Sequence, residues 1–118
     1  MEHDKAHIGK ELRHVILKLI ILKRIKAKRG GIYSYAILKG LSKVESSHFC
    51  ISNPKEIKND VYNTIASLEK SGYIKMRRRV QDGRLKKYYE ITATGDAVLN
   101  SAMRDFLTAL STIKTLFE

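Results

Sequence analysis

NPKEIKNDVYNTIASLEKSGYIKMRRRVQDGRLKKYYEITATG, residues 53 to 95, is the stretch whose reading decides the fold. Its first half sets Ile57, Val61, Ile65 and Leu68 four, four and three residues apart, the spacing of one face of a helix. The other side carries Lys58, Asn59, Tyr62, Asn63 and Lys70, with the small residues Ala66 and Ser67. Ser71-Gly72 ends the helix, since glycine takes the left-handed cap without a steric penalty. From Tyr73 the pattern changes to alternation. Ile74, Met76 and Val80 fall on one side and Lys75, Arg77 and Arg79 on the other, with Arg78 breaking the apolar row. Asp82-Gly83 is a hairpin turn signal, and a return strand follows from Lys86 to Thr92 with Tyr89 and Ile91 on one side. A helix with an amide-bearing face and a hairpin rich in arginine suit a nucleic-acid duplex. The helix fits the major groove and the hairpin lies along a phosphate backbone.

These segments resemble the PadR-like winged-helix transcription regulators. The likeness lies in EIKNDVYNTIASLEKSGYI and GRLKKYYEITATGDAVL, at Tyr62, Leu68-Glu69, Gly72 with Ile74, Lys87-Tyr88-Tyr89, Ile91-Thr92 and Gly95. Tyr35, Ile37 and Leu38 in IYSYAILKGL match the family's aromatic start of a second helix. The resemblance covers roughly residues 10 to 100; Ser34 and Asn63 stand where the family often has Gly and Pro. It implies an α+β, mainly α fold: a winged helix-turn-helix with a long C-terminal dimerisation helix. It also implies a transcriptional regulator, most often a repressor.

A chain of 118 residues is one domain by length, and 43% apolar content is enough for a core. The net charge of +11 marks a partner of polyanions. That charge is concentrated: residues 1 to 92 hold 21 Lys or Arg against 9 Asp or Glu, while residues 93 to 118 hold 2 against 3. The hairpin is densest, with seven basic residues between 75 and 87 against Asp82 alone. A single cysteine forms no internal disulfide. No apolar run reaches the ~18 residues of a membrane span, and MEHDKAHIGKE lacks the core of a signal peptide. The expectation is a soluble, cytoplasmic protein.

Upstream, residues 1 to 9 read as a flexible N-terminus and a helix runs from Lys10 to Lys28. Leu12, Val15, Ile16, Leu19, Ile20 and Leu22 form its apolar stripe, extended by Leu17 and Ile21. A stripe that wide belongs to a central helix or to one shared with a second subunit. The basic end KRIKAKRGG serves either the helix dipole or phosphate contact, and Gly30-Gly31 stops the helix. Ile32 to Lys43 is the second helix, with Tyr35, Leu38 and Leu41 inward. Tyr33 and Ser34 at its start either donate to phosphate or finish the core edge. Ser46 to Ser52 fits a short strand that pairs with the hairpin. His48 and Cys50 within it lack a second ligand pair, so no metal site is expected. Asn53-Pro54-Lys55-Glu56 has the chemistry of a capped helix start, and Asn59-Asp60 is a second start; both fit.

The last helix opens at Thr92 or Thr94 and runs to about Phe117. Leu99, Met103, Phe106, Leu110, Ile113 and Phe117 are spaced four, three, four, three, four, a heptad seam that calls for a partner. The seam folds back on the first helix, meets a twin subunit, or does each with a different face. The domain plan is therefore residues 10 to 93 as the winged helix and 94 to 118 as the dimerisation helix.

No nucleophile–base pair, carboxylate cluster or phosphate-cradling loop supports catalysis, and no cofactor is expected. The leading reading is a homodimeric, sequence-specific transcriptional regulator, a repressor, that binds double-stranded DNA with a reading helix in the major groove and a basic wing on the phosphate backbone. Lys58, Asn59, Tyr62 and Asn63 form its reading helix. Arg77, Arg78, Arg79, Arg84, Lys86 and Lys87, with Tyr33 and Ser34, form its backbone contacts. An architectural chromatin protein that coats DNA is the alternative, and a winged-helix protein-interaction module is a third reading. Asn on the reading helix favours base readout, since its amide contacts adenine bidentately. A small-molecule effector at the dimer interface, lined by Met103, Phe106 and Phe117, stays open.

Overall fold

A computed structural model describes the backbone of residues 2–48 and 54–118 and the side chains of residues 11–41 and 58–118. The order of elements is α1 (Glu2–Ala27), β1 (Ile32–Tyr33), α2 (Ser34–His48), α3 (Pro54–Lys70), β2 (Ile74–Gln81), β3 (Arg84–Ile91) and α4 (Ala93–Phe117). The three strands form one antiparallel sheet in the order β1-β3-β2. The fold is thus the expected winged helix-turn-helix with a long terminal helix.

α1 begins at Glu2, upstream of the expected Lys10, and carries Gly9 in its interior. Its buried line is Leu17, Ile21 and Ile25, with Leu22 beside it. Steps of four keep that line on one face. Leu12 and Val15, assigned to the stripe from sequence, lie off the line and are exposed, while Ile16, Leu19 and Ile20 are half-buried. The core is completed by Ile32, Ile37, Leu41, Val61, Ile65, Leu68, Ile74, Tyr89 and Leu99, so every described element except its edges feeds one cluster.

The short strand that pairs with the hairpin is β1, upstream of α2. Gly30 and Gly31, at φ 89° and 104°, turn the chain into Ile32–Tyr33, which pairs with Tyr89 and Tyr88 of β3. That pairing covers the free edge of β3 and buries Ile32. Ser46 to His48 continue α2 instead, and residues 49–53, including Cys50, Ile51 and the Asn53 cap, lie outside the described residues. Helix two therefore starts at Ser34. Its inward positions are Ile37 and Leu41, one turn apart, with Leu38 half-buried. Tyr35 stands two residues before Ile37, about 200° around the helix, and is 58% exposed rather than inward.

α3 is one helix from Pro54, which settles the two starts in favour of the upstream one. Gly72, at φ 79°, ends it with paired bonds: its N–H donates to the Glu69 carbonyl and the Tyr73 N–H to the Leu68 carbonyl, each at 3.0 Å. β2 and β3 pair from Ile74↔Ile91 to Gln81↔Arg84 around the Asp82-Gly83 turn, where both residues have positive φ.

α4 is fixed at its root. Thr92 caps it, its hydroxyl oxygen accepting from the Gly95 N–H at 3.0 Å and donating to the Gly72 carbonyl at 2.7 Å. Lys26 of α1 pairs with Asp96 at 2.6 Å and donates to Asn100 at 3.4 Å. The basic end of α1 thus has a structural role beyond the two expected from sequence. Leu99 is buried against α1, and Met103 packs on the same cluster. Beyond Phe106 the helix leaves the core, which stretches the molecule to 55 × 32 × 23 Å.

Candidate nucleic-acid interface

α3 divides into three faces. Val61, Ile65 and Leu68 hold it to the core. Asp60 turns toward α1, where Arg13 Nη2 lies 3.4 Å from its carboxylate, and the buried Thr64 hydroxyl donates to the Asp60 carbonyl at 2.6 Å. The third face is open: Lys58, Asn59, Asn63, Ala66 and Ser67 are exposed. Tyr62 is half-buried at its edge, with Lys58 Nζ 6.0 Å from the ring centre. The two asparagines are four residues apart, so their amides stand one turn apart on the outward side. A row of amides with small neighbours lets a helix approach base edges closely.

Asn63 has neighbours that the sequence did not announce. With His14 and Lys18 of α1, and with Asp60, Thr64 and Ser67, it lines a polar groove of about 350 Å³. His14 and Lys18 were hidden in the apolar run HVILKLII, because only the α1–α3 packing brings them beside the reading helix. The signal was there in outline: Lys18 follows the buried Leu17 and points away from the core by one step of the helix.

The hairpin separates its basic residues onto two sides. The register puts Arg78 opposite Lys87, and Val80 opposite Leu85, on the side that continues the core face. All four are exposed because the hairpin extends past the helices. Lys75, Arg77, Arg79, Lys86 and Arg84 share the outer side with Gln81, Tyr88 and Glu90. There Tyr33 and Tyr88 meet edge to face, 5.8 Å apart at 70°. The Arg79 guanidinium stands 5.0 Å from the Tyr88 ring centre, and Lys86 Nζ 5.1 Å from that of Tyr33. The Tyr88 hydroxyl donates to the Gln81 amide oxygen. Tyr33 therefore belongs to the hairpin's outer face through β1, and Ser34, half-buried, opens α2 next to it. Arg84, Arg78 and Lys87 have no acidic partner among the described residues.

The α4 seam also divides. Leu99 is buried in its own chain, while Leu110 is 47%, Ile113 52% and Phe117 85% exposed. Met103 and Phe106 lie between, lining an apolar groove of about 640 Å³ with Ile16, Leu19, Ile20 and Lys23 of α1. On the polar side of the exposed stretch, Thr108, Thr112 and Thr115 each donate to the carbonyl four residues earlier at 3.0 Å. No helix among the described residues is long and apolar enough to cross a membrane.

A three-helix core with a two-stranded basic wing is the architecture of winged-helix DNA-binding proteins. The chain belongs to the Transcriptional regulator PadR-like family, which it matches over residues 21–101. It is accordingly a DNA-binding transcriptional regulator and not an enzyme. Solved structures agree on the fold. A PadR family transcriptional regulator from Eggerthella lenta is 22% identical with a TM-score of 0.73, covering 99% of this chain and 95% of that one. A transcriptional regulator from Clostridium thermocellum is 22% identical with a TM-score of 0.72, covering 92% and 96%. The transcriptional regulator TA0346 of Thermoplasma acidophilum, described as putative, is 20% identical with a TM-score of 0.69, covering 91% and 95%. No curated protein shows a significant sequence match.

Proposed function

We propose that this regulator acts in the cytoplasm as a homodimer that represses transcription by occupying a roughly two-fold symmetric operator. Each subunit lays α3 in the major groove, with Lys58, Asn59, Tyr62 and Asn63 toward the bases. The hairpin follows the phosphate backbone through Arg77, Arg78, Arg79, Arg84, Lys86 and Lys87, with Tyr33 and Ser34 at its base. Half-sites lie about one helical turn apart, at the spacing that symmetric winged or helix-turn-helix dimers use.

The observation that carries this reading is the uncovered seam of α4. Leu110, Ile113 and Phe117 are exposed on one side of a helix that leaves the core, and Leu12 and Val15 of α1 are exposed as well. Contiguous apolar surface of that kind is rare on monomers and marks an interface. Pairing two copies along α4 would cover it and hold two winged helices at one separation. Two linked half-site contacts then reinforce each other without any added contact to DNA.

The test is selection of bound sequences from a random duplex pool, followed by sedimentation of the selected complex. An enriched palindrome bound by two chains supports the reading. Absence of enrichment supports a protein that coats DNA without sequence choice, and a single chain per site removes the symmetric operator.

A further inference from the structure

Glu90 sits among the cations of the hairpin's outer face. Its carboxylate lies 3.4 Å from Arg79 Nη2, 3.6 Å from Arg77 Nε and 4.0 Å from Lys75 Nζ. Register explains the grouping: Lys75 is its direct cross-strand partner, and Arg77 and Arg79 follow on the same side of β2. Glu90 is the one acid on that face among the described residues. Its side chain is 22% exposed, against about half for each of the three cations. Gly31, in the turn before β1, passes close to its stem. A Cβ on Gly31 would stand 3.6 Å from Glu90 Cγ and 3.2 Å from Tyr88 Cβ.

Ion pairs between exposed side chains add little to stability, so folding alone is a weak reason for this arrangement. On a surface that meets phosphate, a fixed carboxylate has a direct effect. It repels the phosphate and competes for the same guanidinium protons. We propose that Glu90 is an internal counter-ion that limits the wing's hold on DNA, occupying Arg77 and Arg79 so that an incoming phosphate must share them. This rests on the reading of the hairpin as a phosphate-facing wing. The consequence concerns selectivity. Phosphate contacts are blind to sequence, and a genome presents a vast excess of non-specific sites. Weakening the wing's grip leaves more of the decision to the base contacts of α3.

The experiment measures binding of the full chain to a short random duplex across a salt series. The variants are Glu90→Gln, Glu90→Thr and the double change Arg84→Ala/Lys86→Ala. Glu90→Thr repeats the charge removal with a strand-favouring residue that cannot reach the arginines. Both Glu90 variants are expected to bind more tightly, by about fivefold per subunit. Their log–log salt slopes should steepen by about 0.9 for each phosphate gained. Unchanged binding by the Glu90 variants, with weaker binding by Arg84→Ala/Lys86→Ala, overturns the counter-ion role and leaves the wing intact. Weaker binding by the Glu90 variants also overturns it, and makes Glu90 a residue that positions arginines for DNA. No effect from any of the three overturns the wing reading together with the proposal.

Discussion

Gly95 of α4 passes directly against the carbonyl oxygen of Tyr73, so closely that even a methyl group at position 95 would collide with it. The Tyr73 carbonyl is already engaged, accepting from the Thr92 N–H at 3.0 Å. Three chain segments therefore converge on one carbonyl: the turn between α3 and β2, the end of β3 and the first turn of α4.

Gly95→Ala tests that convergence. The obstacle is backbone, which cannot swing aside as a flexible side chain does. A loss of about 1–3 kcal/mol in stability is expected, the range for forced overpacking. Thermal or denaturant unfolding reads it directly, and an unchanged midpoint would show that α4 can shift at its root without cost.

Asn63→Ala addresses base readout. Asn63 is exposed, so its loss should leave the fold alone. Affinity for a selected operator should fall by about 1–3 kcal/mol, while affinity for random duplex stays close to wild type. Equal losses on both would make Asn63 a backbone contact and not a reader of bases.

Leu110→Asp addresses assembly. Leu110 is already half exposed in the single chain, so an aspartate there should not disturb the winged helix. Buried between two chains, an unpaired carboxylate costs several kcal/mol. The variant is expected to sediment as a single chain, fold normally and keep only weak half-site binding. A dimer that survives the change would place the interface elsewhere.

Tyr89 gives a pH dependence. Burial, reinforced by the nearby Glu69 carboxylate and the Tyr62 phenol, raises its phenol above the ordinary value. The unfolded chain, titrating near 10, loses this proton first. The stabilising contribution is therefore complete below about pH 10 and declines as pH climbs toward the raised folded value. Tyr89→Phe should flatten that alkaline decline in unfolding experiments; an identical decline would assign it to other groups.

The α3–hairpin unit was readable because each of its signals is local. The Val61–Ile65–Leu68 face, Gly72 and Asp82-Gly83 act within a few residues of themselves. What escaped the sequence was set at a distance. Ile32–Tyr33 is a strand only because β3 has an edge to cover, and two residues carry no periodicity of their own. The α1 stripe was drawn around Leu12 and Val15 because eight apolar residues in a row of turns offer more than one face. The choice of Leu17–Ile21–Ile25 is made by the elements packed against it. At the interface, the exposed amides of α3 followed from helix spacing. The clustering of Tyr33, Tyr88, Arg79 and Glu90 required the strand register.

The anchoring of α4 at Thr92, Gly95 and Asp96 also makes that helix a rotational gauge. Its root cannot turn, so the compass direction of Leu110, Ile113 and Phe117 is fixed by the number of residues between them and the anchor. Each residue inserted after Leu99 would swing that seam by about 100° and lengthen it by about 1.5 Å. In the proposed dimer, a single added residue would thus rotate one DNA-binding unit against the other far more than it would separate them. In that proposed arrangement, the length of this helix would set the phase between half-sites more than their distance.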